Sequence, residues 1–180
     1  VTGQGNFDFL FDELKRHGSA GVREAKVAAL RPEDGGRRVL EADEFEDLDS
    51  DDWYNLGLEL EEVDPENAPE AYARSIGLDP QNADAHVNLG RLFQLRGDLK
   101  RAKRHYQLAL SAAPAHQLAH YNMGTEFDEL DEIETAKDFY CKAPSVPDAH
   151  YNLARIFELR GDELSSLRHL RRYRQLLESE

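Results

Sequence analysis

The side chains with the most recognition chemistry in this chain are asparagines set in a recurring phrase. Trp53-Tyr54-Asn55-Leu56-Gly57, His86-Val87-Asn88-Leu89-Gly90, His120-Tyr121-Asn122-Met123-Gly124 and His150-Tyr151-Asn152-Leu153-Ala154 begin 33, 34 and 30 residues apart. An asparagine amide both donates and accepts hydrogen bonds. A row of them, one per repeat, can pair with the backbone of an extended peptide while ignoring its side chains. The competing reading is internal, with the same amides bonding neighbouring helices. The chain carries no nucleophile motif, phosphate-binding glycine loop or cluster of metal ligands. Neither catalysis nor a cofactor or metal is expected. Its seven histidines do not change that. His86, His120 and His150 take the place of Trp53, a packing position, and read as amphipathic spacers. His116 is four residues from His120 but follows Pro114 in a loop.

Helices must position these groups. In each phrase the Leu and Gly face a partner helix. The Tyr and Asn lie about 100° per residue further round and share the other face with the residue four after the Tyr. A second helix follows each phrase. It is marked by Ala68 and Tyr72 with Pro80, by Ala102 and Tyr106 with Pro114, and by Ala136 and Tyr140 with Pro144. The fourth copy has Ser166 and Leu170 and no closing proline. Small residues such as Gly90 and Ala102 let paired helices approach, and Pro114 cannot continue a helix. In the third copy the proline comes four residues early, about one helical turn. That second helix is expected to end near Ala143, with an abnormal bend before the fourth copy. Leu164 through Leu177 reads as one long helix whose charged outer face serves as the cap.

A period near 34 with this arrangement of aromatic, Leu-Gly, Ala, aromatic and Pro resembles the tetratricopeptide repeat (TPR) family. The resemblance covers residues 51 to about 177. It implies an all-α fold, an α-solenoid of antiparallel helix pairs wound as a right-handed superhelix of about four repeats. The repeats span 51–80, 83–116, 117–147 and 148–180, preceded by a partly ordered arm over 1–50. It also implies a non-catalytic scaffold for protein–protein interaction, holding a peptide of a partner along the first helices. The groove residues are then Tyr54, Asn55, Asn88, Arg91, Tyr121, Asn122, Tyr151, Asn152 and Arg155, with Leu58, Val87 and Thr125 on the same face. The asparagine row is similar to the ladder in the TPR superhelix of O-linked N-acetylglucosamine transferase. The carboxylate clamp of chaperone-binding TPR proteins is incomplete, since Tyr54 and Leu118 stand where its lysines would be.

Composition sets further limits. A net charge of −14 disfavours direct contact with nucleic acid or an anionic membrane, both of which need Lys and Arg to neutralise phosphate. One cysteine, Cys141, excludes an intramolecular disulfide and fits a reducing, cytoplasmic location. No apolar run approaches the roughly 18 residues of a spanning helix. Repeat two is rich in Arg and Lys and repeat three in Asp and Glu, which makes self-association between molecules a second option.

Residues 1–50 read as an arm and acidic linker with one or two short helices. Phe7, Leu10, Phe11 and Leu14 make one helical stripe, and Val22 to Leu30 is a second candidate, stopped by Pro32 and Gly35-Gly36. From Glu41 to Glu70 there are fourteen acidic residues and no Lys or Arg. Thr2-Gly3-Gln4, Phe7-Asp8-Phe9, Ala29-Leu30-Arg31-Pro32 and Leu58 through Ala68 resemble the junction of bacterial proteins that join a MerR-type winged helix-turn-helix to a TPR tail. The chain opens on Val1 rather than Met, which leaves room for such a domain upstream. On that alternative this is the effector or assembly region of a transcription regulator, acting by self-association or partner contact.

Overall fold

The computed structural model describes residues 28–30, 37–39 and 48–179. The chain divides into two compact units, Val1–Ala85 and His86–Glu180. Among the described residues eight α-helices follow a short two-stranded ribbon, an all-α helical repeat fold. In the ribbon, β1 (Ala28–Leu30) pairs antiparallel with β2 (Arg37–Val39), with Ala28 opposite Val39. This corrects the helix expected over Val22 to Leu30, at least in its last three residues. Pro32 and Gly35-Gly36 signal a helix stop and a strand end equally well in sequence. Residues 22–27 and the stripe from Phe7 to Leu14 lie outside the described residues.

The first unit then forms α1 (Ser50–Val63) and α2 (Ala68–Leu78). Asp49 starts α1 with a capping box. Its Oδ1 accepts from the backbone of Asp51 and Asp52, each at 2.9 Å, and its own N–H donates to Asp52 Oδ2 at 3.2 Å. Asp51 and Asp52 also suit the positive end of the helix dipole. Trp53, Leu56, Gly57 and Leu60 of α1 are buried, as are Ala68, Ala71, Tyr72, Ser75 and Ile76 of α2. Asn82 closes the unit. Its amide donates to Ser50 Oγ (3.3 Å) and Ser75 Oγ (3.1 Å), and its carbonyl accepts from Ala85 N at 3.0 Å. That last bond caps the next helix, α3 (Ala83–Leu95).

The second unit takes up α3 and adds α4 (Leu99–Ala112), α5 (Gln117–Glu129), α6 (Ile133–Tyr140), α7 (Pro147–Leu159) and α8 (Glu163–Leu177). In the α3/α4 and α5/α6 hairpins the approach is set by a glycine facing a ring. A Cβ on Gly90 would come to 2.7 Å from the Tyr106 ring, and one on Gly124 to 2.6 Å from Tyr140. Gly57 meets Tyr72 in the same way in the first unit, at 2.5 Å. The fourth copy changes both members together, with Ala154 in place of the glycine and Leu170 in place of the tyrosine. Helix α6 is short, with eight residues against fourteen in α4. It ends at Tyr140, and a turn closes at Ala143, whose N–H donates to Tyr140 O at 3.0 Å. Ala143 and Ala149 are both fully buried in one apolar cluster with Tyr140, Leu153 and Ile156, so the lost turn leaves no gap between α6 and α7.

Candidate peptide-binding surface

The residues of the second unit expected to line a groove sit on α3, α5 and α7, held by the second helix of each pair. Tyr121 of α5 lies 5.9 Å from Tyr140 of α6, centroid to centroid, and Tyr151 of α7 lies 5.7 Å from Tyr173 of α8. Tyr151 is half in water, at 51% exposed. Tyr121 is half-buried; burial chiefly raises its pKa, Asp148 adds to that, and a hydrogen bond with Asn152 opposes it. Asn152 therefore bonds a neighbouring helix, the internal reading of the asparagine row. An amide has four hydrogen-bonding sites, so one such bond leaves it able to make others. Asn122 and Asn88 are half-buried on the same face.

Polar chains run from this face back into the hairpins. Tyr106 donates to Gln94 Oε1 at 2.7 Å, and Gln94 Nε2 donates to Thr125 Oγ1 at 3.4 Å. Thr125 in turn donates to the carbonyl of Asn122 at 2.8 Å. In the next pair Tyr140 donates to Asp128 Oδ2 at 3.2 Å, and Arg155 forms an ion pair with that same oxygen. Asp128 holds the Arg155 guanidinium above its ordinary pKa, through the hydrogen bond first. Arg155 is thus a half-buried, locally neutralised cation rather than a free charge. Arg91 is also half-buried. Val87 corrects the expected face, because it is buried. A β-branched apolar side chain at the Tyr position goes into packing rather than toward water. In the first unit Tyr54 is half-buried, 5.9 Å from Tyr72, and Asn55 is exposed.

The histidines do more than space the helices. His86 Nδ1 lies 3.0 Å from His105 Nδ1, and His150 Nδ1 lies 2.9 Å from His169 Nδ1. His150 Nε2–H donates to the carbonyl of Pro144 at 3.2 Å. A carbonyl can only accept, so His150 Nδ1 is the acceptor and His169 Nδ1–H the donor. In the third repeat the partner position is Phe139. His120 Nε2–H donates to Pro114 O at 2.9 Å, and its buried Nδ1 has no hydrogen-bond partner. Sequence reading missed these pairs, although a spacing of nineteen residues recurs from His86 to His105 and from His150 to His169. It also missed Glu126, a buried carboxyl with an unpartnered Oε2. Its counterparts are Leu92 and Ile156, both buried. Among the described residues no group of three or more His, Cys, Asp or Glu could hold a metal ion. No helix among them is long and apolar enough to cross a membrane.

Residues 83–116, the full-length repeat, match the family model of the tetratricopeptide repeat. No curated protein matches the chain. Several solved structures share its architecture. A crystal structure of MamA is 17% identical over 98% of this chain and 91% of that one, with a TM-score of 0.59. MamA from Desulfovibrio magneticus RS-1 is 22% identical over 75% and 79%, with a TM-score of 0.57. PilF of Pseudomonas aeruginosa is 22% identical over 73% of this chain and 62% of that chain, with a TM-score of 0.63. Identities this low establish the shared helical-repeat fold. The chain carries a tetratricopeptide repeat within it.

Proposed function

We propose that the chain is a non-catalytic interaction scaffold, and that the face formed by α5 and α7 takes a peptide segment of a partner protein. The observation that carries this is the exposed Tyr151 ring beside half-buried Tyr121, Asn122 and Asn152. That is flat aromatic surface next to amides with spare hydrogen-bonding capacity. Aromatic side chains of this kind dominate protein interfaces, because they bury much area at little entropy cost. Asp128 holds Arg155 and Tyr121 bonds Asn152 before a ligand arrives, which lowers the cost of ordering them. Asn88, Arg91 and Arg155 border the same face, with Tyr54 and Asn55 as its counterparts in the first unit.

The test is partner capture with the chain, beside Tyr151→Ala and Asn122→Ala variants of equal helicity. Loss of an interface tyrosine is expected to weaken a captured partner by about thirtyfold, equivalent to about 2 kcal/mol. If both variants hold every partner as tightly as the parent, the face is structural and the reading fails. The regulator alternative rests on motifs that lie mostly outside the described residues. The gene sequence upstream of Val1 decides it, by the presence or absence of a DNA-binding domain.

A further inference from the structure

The last helix carries a face that its counterpart in the second repeat does not show to water. The offset of 64 residues from His86 to His150 puts Leu167 at the position of Lys103 and Leu170 at that of Tyr106. On α4, Lys103 Nζ lies over the Phe127 ring of the following helix at 4.4 Å, and Tyr106 is fully buried. On α8, Leu164, Leu167 and Leu170 are 61%, 64% and 38% exposed. Arg168, Arg171 and Arg174 interleave with them and are exposed as well. Residues three and four apart on a helix are surface neighbours, so the result is an apolar seam rimmed by cations. The charged outer face expected of that helix thus also carries exposed leucines.

Such a face rejects a copy of itself, because two of them would bring arginine against arginine. It fits a helix with acidic flanks around a few apolar contacts, and the chain contains one in α1. Asp51, Asp52, Asn55, Leu58, Glu62 and Val63 are all exposed there. Asp52 stands where α5 has Ala119 and α7 has Ala149, both fully buried. Helix α1 therefore exposes at Asp52 a position that the later first helices bury, and adds the exposed Asp51, Glu62 and Val63 beside it. We propose that α8 of one copy takes α1 of a second copy, with Leu58 and Val63 on the leucine seam and Asp51, Asp52 and Glu62 facing the arginines. Unlike faces meet, so one contact leaves the pair with one unused face of each kind, and the contact propagates into a ring or a chain. The α8 seam lies apart from the α5–α7 peptide-binding face; on α1 the contact takes in Leu58, beside Asn55, so it is tested at Asp51 and Glu62, which the peptide reading does not use.

The test is the weight-average mass of the full chain by sedimentation equilibrium across concentration and salt. The parent is expected to grow in mass with concentration and to shrink as salt rises. Leu164→Glu with Leu167→Glu removes the seam, and Asp51→Arg with Glu62→Arg removes its acidic partner. All four side chains are exposed, and circular dichroism checks that both variants stay folded. Each variant alone is expected to be monomeric. Mixed in equal amounts, the two are expected to give a dimer and nothing larger, since one intact face of each kind remains. A monomeric parent at every concentration, a seam variant that still assembles, or a mixture that stays monomeric overturns the proposal.

Discussion

In the second repeat the turn between paired helices is made by Gly97, at φ +78°, followed by Asp98, whose Oδ1 accepts from Arg101 N at 3.0 Å. In the third the same positions hold Asp131, at φ 61°, followed by Glu132, which makes no side-chain cap. The fourth repeat returns to Gly161 and Asp162, with a cap on Ser165 N. The third repeat differs in its interior as well. His120 Nδ1 and Glu126 Oε2 are buried without partners, and α6 has only eight residues. Each of these is a local cost that its neighbours avoid. Stability along a repeat array is a sum of local terms and nearest-neighbour interfaces. The third repeat is therefore expected to open first in the second unit, with amide hydrogen exchange fastest in α6 among its buried helices.

The largest effect that can test this difference comes from closing the glycine gap. Gly90→Ala puts a methyl into the Tyr106 ring, which is pinned by its bond to Gln94, and is expected to cost about 3 kcal/mol. Gly124→Ala meets Tyr140, which is tied by a longer bond, 3.2 Å to Asp128, at the last residue of a short helix, and is expected to cost about 1 kcal/mol less. Urea denaturation measures both. Equal costs would show that α6 is as rigid as α4. Tyr106→Leu added to Gly90→Ala should recover part of the loss, because Ala154 and Leu170 already make that combination.

Glu126→Leu comes next and has the opposite sign. Burial holds this carboxyl above its ordinary pKa, and Lys103 only partly offsets that. Placing the side chain of the second repeat there is expected to raise stability by about 2 kcal/mol, seen as a higher urea midpoint. A drop would mean that the attraction of Lys103 outweighs burial.

The imidazole pairs separate the repeats by pH. Burial, with His86 as the next cause, pushes His105 down to about 3, and burial also lowers His150 and His169. A histidine kept neutral in the fold costs nothing above its unfolded pKa. It then destabilises as pH falls from about 6.5 toward the folded value. At pH 5 the His105 contribution is a loss of about 2 kcal/mol. Glu126 acts in the other direction, but only near and above the ordinary carboxylate range. His105→Phe copies the third repeat. It should be less stable at pH 7, where His86 Nδ1 loses its partner, and should lose less between pH 7 and 5. An unchanged pH slope would remove the pair as its cause.

The helices, their glycine contacts and the early end of α6 were legible because each rests on spacing within a repeat. The groove was legible only in part. Helical angles place Tyr121, Asn122, Tyr151 and Asn152 on one face, but they do not say that Asn152 reaches Tyr121 or that Arg155 is held by Asp128. Those bonds join helices about thirty residues apart and depend on how far each side chain extends. Val87 was misplaced for a related reason: its angle was right, but an apolar side chain at that angle packs inward. The strand Ala28–Leu30 was misread because Pro and Gly signal a break without saying what lies before it.

The smallest effect is the most local. The αL conformation costs a non-glycine residue about 1 kcal/mol, somewhat less for Asp, whose short side chain tolerates it. Asp131→Gly should return most of that. Glu132→Asp shortens the side chain to the length that lets Asp98 and Asp162 reach a backbone N–H three residues on, and a new cap is worth about 1 kcal/mol. The pair together should raise thermal stability by a few degrees, using about 2–4 °C per kcal/mol. It should also slow exchange in α6 more than in α4 or α8. If the stability gain appears but exchange slows equally everywhere, the turn matters and the third repeat is not the weak point. If neither moves, its fragility lies in the interior, at His120 and Glu126.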